Sequence, residues 1–122
     1  MDTKELLNFV AQVIFDKKGF NIFALDIRKI STMADYFLIA EGNVDRHVQS
    51  LCQSIEEATA KKGIRPLGRE GQDSGEWCIL DYGDIVIHLF QTKTREHYAL
   101  EELWQKGGIV DLKLITHPEG TS

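Results

Sequence analysis

The chain has 122 residues, which fits one domain large enough to build a hydrophobic core without disulfide or metal staples. Its 43% hydrophobic and 27% charged residues are ordinary globular values, which argues against disorder of the whole chain. The formal net charge is −5, and Lys and Arg do not cluster into a basic patch. Strong direct binding to nucleic acid is therefore not expected, because phosphate recognition needs such a patch.

The chain carries no signal for export or membrane insertion. Its longest apolar run, Tyr36 to Ala40, is far shorter than the roughly 20 residues that a membrane helix needs. The N-terminus has neither the basic region nor the apolar core of a signal peptide. We therefore expect a soluble, cytoplasmic protein, in which Cys52 and Cys78 are buried thiols rather than a disulfide.

In the first part of the chain, apolar spacing predicts a helix followed by two strands. The helix runs from about Thr3 to Lys17, and Gly19 is expected to end it in a left-handed conformation. Phe23, Leu25 and Ile27 alternate with smaller or polar residues, which predicts a half-buried strand. A second strand, Tyr36 to Glu41, follows a short connection that favours antiparallel pairing.

The clearest helix pattern follows Gly42, with Asn43 as its expected N-cap. Its apolar residues form one stripe over four turns, and Lys61, Lys62 and Gly63 are expected to end it. Residues 64–75 are rich in glycine and charge, so we expect one short strand near residues 66–68 and then a mobile loop.

The last third of the chain predicts a hairpin and a helix. Strands over Glu76–Leu80 and Asp84–Gln91 are separated by Asp81-Tyr82-Gly83, and Gly83 permits the positive φ that such a turn often needs. Thr92 or Thr94 is expected to cap a final helix that runs through Trp104. The helix between the second and third strands suggests a parallel crossover, which makes the sheet mixed.

Titratable residues offer two readings at the hairpin. Asp81 and Asp84 could hold a metal or act as acid and base, but aspartates at this spacing more often stabilise turns. His88 lies in an apolar strand, where a partly buried histidine satisfied by a neighbouring polar group is favoured over a ligand or a base. No histidine pair has the spacing of a helical zinc site.

Aromatic residues are concentrated in the last third of the chain. Trp77 and Tyr82 lie at a loop edge and a turn, where an interface role is favoured, because Trp and Tyr are common interface anchors. Trp104 could equally complete the core. Tyr98 lies between these positions, close to Arg95, Glu101 and Glu102.

Two long runs in the sequence resemble the ribosomal silencing factor family, also called the Iojap or RsfS family. They are GEWCILDYGDIVIHLF and REHYALEELW, and DYFLIAEGNVDRHVQSL upstream also matches. The resemblance extends from the first helix to about Leu112. The matching positions of the two long runs are Gly75, Trp77, Asp81, Tyr82, Gly83, Asp84, His88, Arg95, Tyr98, Leu100, Glu101, Leu103 and Trp104.

The resemblance implies a two-layer α/β domain that is nucleotidyltransferase-like without the active site, and we assign residues 1–115 to it. The order of the predicted elements gives a roughly five-stranded mixed sheet and three main helices, and residues 116–122 are expected to form a flexible tail. Family members bind the large ribosomal subunit through its basic protein fourteen, block joining of the small subunit and lower translation when nutrients are short. No catalytic residue, metal or cofactor is expected.

The residues expected at the partner contact combine the aromatic signal with the family pattern. Asp84 would help to shape the surroundings of this contact. A divergent nucleotidyltransferase or metal-dependent hydrolase using Asp81, Asp84 and His88 stays open as an alternative. Family relatives also occur as free homodimers, which leaves self-pairing of the free protein open. The expected partner-binding residues are Trp77, Asp81, Tyr82, His88, Arg95, Tyr98, Leu100 and Glu101.

Overall fold

A computed structural model describes residues 1–95 and 108–115 of the chain. The α/β class is confirmed, and every strand and helix predicted up to Gln91 is present, with ends that differ by a few residues. The predicted final helix is described only over its first turn, and the remainder through Trp104 lies outside the described residues. The elements are α1 (Thr3–Asp16), β1 (Phe20–Asp26), β2 (Tyr36–Gly42), α2 (Asp45–Ala60), β3 (Gly68–Glu70), β4 (Trp77–Asp81), β5 (Ile85–Gln91), α3 (Thr92–Arg95) and β6 (Gly108–Val110).

The strands form one mixed sheet in the order β3-β4-β5-β2-β1-β6. It has six strands rather than the roughly five predicted, because β6 adds to the outer edge of β1. The antiparallel pairing of β1 with β2 is confirmed. The connection through α2 is a parallel crossover, as predicted, since β3 runs in the same direction as β2. The two strands are not neighbours, because two successive antiparallel pairings bring the chain back from the edge strand β3 and place β5 beside β2.

The end of α1 differs from its prediction. The residue with positive φ is Lys18, at 70°, and not Gly19. The Gly19 amide donates to the carbonyl of Ile14 at 2.8 Å, and a Cβ on Gly19 would lie 2.3 Å from Ile14 Cγ2. Gly19 is therefore needed for this close approach rather than for its left-handed freedom.

The start of α2 also differs. Its N-cap is Val44, which makes no side-chain cap, and not Asn43. The side chain of His47 folds back instead, and its Nδ1 accepts the Asn43 amide hydrogen at 3.1 Å. The predicted apolar stripe is confirmed at its centre, where Val48, Leu51, Cys52 and Ile55 are buried.

Apolar side chains occupy both faces of the sheet. Helices α1 and α2 pack on one face, against residues such as Ala24, Leu38 and Ile87. A second cluster lies on the opposite face and includes Leu25, Ile39 and Phe90. The expected half-buried strand β1 therefore turns Phe23 and Leu25 away from α1 and α2, whereas Ile22 packs on the helix side. None of the described helices is long and apolar enough to cross a membrane.

Candidate partner-binding site

The structure describes four of the eight predicted contact residues with their side chains: Trp77, Asp81, Tyr82 and His88. Arg95 is the last described residue of α3, and its backbone alone is described. The other three, Tyr98, Leu100 and Glu101, lie outside the described residues and stay predictions.

Trp77 and His88 meet on the sheet face opposite α1 and α2. The antiparallel register pairs Trp77 with Phe90 and Ile79 with His88, which brings the three rings onto one face. The indole Nε1 of Trp77 donates to Nδ1 of His88 at 3.1 Å. The Trp77 and Phe90 rings stack with centroids 5.1 Å apart and an interplanar angle of 22°.

Phe37 of the neighbouring strand completes this group. Its ring meets His88 edge-on, with centroids 4.7 Å apart, because β2 runs beside β5. Phe37 and Trp77 are only partly buried, whereas Phe90 is fully buried. We call Phe37, Trp77, His88 and Phe90 the aromatic cluster. Neighbouring rings fix the ring positions in this cluster.

His88 is a neutral residue within this cluster. Its Nδ1 accepts a hydrogen bond, so the neutral ring carries its proton on Nε2. That Nε2 is buried and meets no acceptor among the described residues. Burial lowers the pKa of His88 from 6.5 to about 4. The polar neighbour expected for His88 is thus the Trp77 indole, which contacts Nδ1 but not Nε2.

Tyr82 lies apart from the aromatic cluster, on the side of α2. Its hydroxyl and the Thr59 hydroxyl are hydrogen-bonded at 2.8 Å, and its ring packs against the core beneath the helices. Burial raises the pKa of the Tyr82 hydroxyl. The hydrogen bond between Tyr82 and Thr59 therefore connects the hairpin turn to the end of α2.

The aspartates of the hairpin have local hydrogen-bond partners. Oδ1 of Asp81 accepts the Gly83 amide hydrogen at 2.8 Å, and Gly83 has the positive φ, 89°, that the turn was predicted to need. Oδ2 of Asp84 accepts from the Thr3 hydroxyl at 3.3 Å. Within residues 1–95 and 108–115, no group of three or more His, Cys, Asp or Glu side chains is arranged to hold a metal ion.

Sequence reasoning missed two members of the aromatic cluster, Phe37 and Phe90. Both lie in strands that were predicted, but their neighbours across the sheet depend on strand order. The alternation of Val86, His88 and Phe90 on one face of a strand was a usable signal, because it places an imidazole and a phenyl ring side by side.

Comparison with known proteins places the chain in a family. The model of the family described as "Ribosomal silencing factor during starvation" matches residues 1–121. The ribosomal silencing factor RsfS of Bacillus subtilis strain 168 is 39% identical over 112 residues, which cover 92% of this chain and 95% of that protein. The chain therefore belongs to the ribosomal silencing factor family.

Structural and more distant relatives agree with this placement. An X-ray structure of a protein from Chromobacterium violaceum has a TM-score of 0.82 and 31% identity, and the match covers 86% of this chain and 88% of that one. A mouse protein named "Mitochondrial assembly of ribosomal large subunit protein 1" is 27% identical over 101 residues. That match covers 80% of this chain and 44% of the mouse protein.

Proposed function

We propose that this protein binds the large ribosomal subunit through its protein fourteen and sterically blocks association with the small subunit. Translation falls because blocked large subunits do not form ribosomes. The observation that carries the proposal is the aromatic cluster on the sheet face away from α1 and α2, in a chain of the ribosomal silencing factor family. The name of the mouse relative, which refers to the large subunit, supports the choice of subunit.

The geometry of Trp77 suits it to be the anchor of such a contact. Its ring is held by stacking on Phe90 and by the hydrogen bond to His88. A side chain already held in one orientation loses little conformational freedom on binding, so more of its contact energy appears as affinity. A protein that blocks association sterically needs affinity and bulk but no reactive group. The aromatic cluster would supply the affinity.

Charge favours a basic protein as the partner. The whole chain has a net charge of −5, and the family resemblance implies that protein fourteen is basic. Opposite charges on two partners mainly raise the rate of encounter and disfavour wrong partners. Asp81 and Glu101 remain part of the proposed contact, as do Tyr82, Arg95, Tyr98 and Leu100.

The site of action would be the cytoplasm, where ribosomal subunits meet. Before it binds a subunit, the free protein could bury its apolar surface against a second copy, and the proposed homodimer would then compete with ribosome binding. The catalytic alternative has no observation in its favour, since Asp81 and Asp84 are engaged in the hairpin and with Thr3.

Sedimentation of purified ribosomal subunits tests the proposal. Added wild-type protein should lower the fraction of joined ribosomes, and Trp77→Ala should require roughly thirtyfold more protein, as expected for an anchor worth about 2 kcal/mol. Met33→Ala is the matched control, because Met33 is 87% exposed but lies in the connection between β1 and β2, outside the proposed contact. The proposal fails if saturating wild-type protein leaves subunit joining unchanged.

A further inference from the structure

Two buried thiols lie together beneath one loop. Cys52 of α2 and Cys78 of β4 are each 1% exposed, and both are free thiols. The side-chain amide of Gln72 donates to Cys52 Sγ at 3.4 Å, and Cys78 Sγ donates to the Gly71 carbonyl at 3.3 Å. Two adjacent loop residues, Gly71 and Gln72, thus contact the two sulfur atoms.

The two thiols differ in acidity. The neighbouring Cys78 and the Gln72 amide lower the pKa of the Cys52 thiol, whereas the neighbouring Cys52 and burial raise the pKa of the Cys78 thiol. Cys52 therefore loses its proton first, and the thiolate is the nucleophilic form of cysteine. Cys78 stays protonated beside it, which is the arrangement of a reactive thiol with a resolving partner.

Hydrogen bonds hold the loop over residues 71–75 against α2. The sequence had predicted a mobile loop here. The side-chain amide of Gln49 donates to the carbonyls of Gln72 and Asp73, each at 2.9 Å. Asp73 and Ser74 themselves are exposed. Because hydrogen bonds rather than apolar side chains hold the loop to α2, the loop can open locally while the rest of the fold is retained.

We propose that Cys52 and Cys78 form an oxidisable dithiol, which a hydroperoxide reaches when residues 71–75 open and which then closes to an intramolecular disulfide. This modification site is independent of the proposed ribosome binding. The disulfide would join the helix layer to the sheet at the residue next to Trp77. In the disulfide the two sulfur atoms would lie about 2.05 Å apart.

The reaction balances with the hydroperoxide as the oxidant. The Cys52 thiolate attacks one peroxide oxygen, an S–O bond forms, and the O–O bond breaks to release hydroxide (or alkoxide), which takes up a proton. The Cys78 sulfur then gives up its proton and attacks the sulfur of the Cys52 sulfenic acid. An S–S bond forms, the S–O bond breaks and water leaves. The two thiols lose two electrons, which reduce the peroxide.

Intact mass after peroxide treatment tests the site. The purified full chain is exposed to increasing hydrogen peroxide, then unfolded and alkylated. The expected product takes up no alkyl group, is lighter by two hydrogen atoms, and yields a peptide pair linking Cys52 to Cys78 on digestion. The proposal is overturned if both thiols still alkylate under conditions in which the unfolded chain is fully oxidised, or if the product is a sulfinic acid on one cysteine.

Two matched glutamine variants test access through the loop. Gln49→Ala removes both hydrogen bonds to the loop and should raise the rate of disulfide formation about tenfold. That increase is expected when hydrogen bonds that stabilise the closed loop are lost. Gln53→Ala, one turn further along α2, removes only a hydrogen bond to Glu57 and should leave the rate unchanged. Equal rates for Gln49→Ala and the wild type would overturn the loop-opening route.

Single cysteine variants test the order of reaction. Cys78→Ser should accumulate a sulfenic acid on Cys52 that dimedone traps, whereas Cys52→Ser should label far more slowly at Cys78. The near-UV circular dichroism of each variant establishes that it is folded before labelling. The reverse order of labelling in folded variants would overturn the assignment of Cys52 as the attacking thiol.

Discussion

The indole of Trp77 donates its Nε1 hydrogen to Nδ1 of His88 across two neighbouring antiparallel strands, at 3.1 Å. This hydrogen bond requires an imidazole that is unprotonated at Nδ1, and burial keeps His88 neutral by lowering its pKa to about 4. The orientation of Trp77, the proposed anchor, thus depends on the charge state of His88. Protonation of His88 would remove the acceptor and place a charge among three aromatic rings.

Acid should destabilise the fold through His88. Its pKa is about 4 in the folded state against 6.5 for the ordinary residue, so the unfolded chain binds the proton more readily. Above pH 6.5 both states are neutral and His88 has no effect. As the pH falls from 6.5 to 4, the free energy of unfolding should drop by roughly 3 kcal/mol from this residue alone.

Urea denaturation at pH 7 and pH 4.5 measures this effect. His88→Gln should lose much less stability on acidification than the wild type, because glutamine does not titrate. An equal decrease in the His88→Gln protein and the wild type would contradict the prediction.

Replacing Trp77 in two ways separates its stacking from its hydrogen bond. Trp77→Phe keeps a ring that can stack on Phe90 but has no hydrogen for His88, so its affinity for purified protein fourteen should fall less than tenfold. Trp77→Ala removes both and should lower affinity roughly thirtyfold. Calorimetric titration measures both constants, and equal losses in the two variants would refute a stacking contribution.

The hydroxyl pair of Tyr82 and Thr59 should stabilise the fold. Tyr82→Phe and Thr59→Val should each cost about 1 kcal/mol of unfolding free energy, because a buried hydroxyl loses its partner. In the double variant both hydroxyls are gone, so the total loss should be smaller than the sum of the single losses. Chemical denaturation of the four proteins gives the coupling, and strict additivity would show that the two hydroxyls do not interact.

Gly71 and Gly63 form a matched pair for backbone strain. Both have positive φ, 83° and 76°, but a Cβ on Gly71 would lie 1.9 Å from the Trp77 carbonyl oxygen, whereas one on Gly63 would meet nothing within 4 Å. Gly63→Ala should cost about 1 kcal/mol, and Gly71→Ala several kcal/mol, because only the latter adds a backbone clash. Thermal denaturation compares them, and losses of equal size would contradict the clash.

Local sequence patterns predicted the elements and the pairing of strands that follow each other closely, but not the pairing of strands distant in the chain. Helices α1 and α2 and the β4–β5 hairpin follow from patterns within one stretch of chain. The position of β6 beside β1 depends on contacts between distant segments, which no local pattern encodes. The same limit applies to the position of Cys52 and Cys78 beneath one loop, because an α2 residue and a β4 residue come together only after the sheet has formed.

Part of the candidate site was also predictable. Trp77 and His88 were both expected from sequence, since one is an aromatic at a loop edge and the other a polar residue in an apolar strand. Their hydrogen bond was not, because it depends on the register of two strands. The internal partner of Tyr82 was missed for a similar reason: Thr59 is reached only when the end of α2 lies over the turn.

Strand β5 is apolar on both faces, with Ile87 and Leu89 towards the helices and Val86 and Phe90 on the other side. A strand of this kind could slip by one residue and still bury hydrophobic side chains, so burial alone does not fix its alignment. His88 removes that ambiguity, because a slip would turn its imidazole into the core beneath the helices and away from Trp77. The hydrogen bond between Trp77 and His88 thus disfavours folding with β5 in a shifted register.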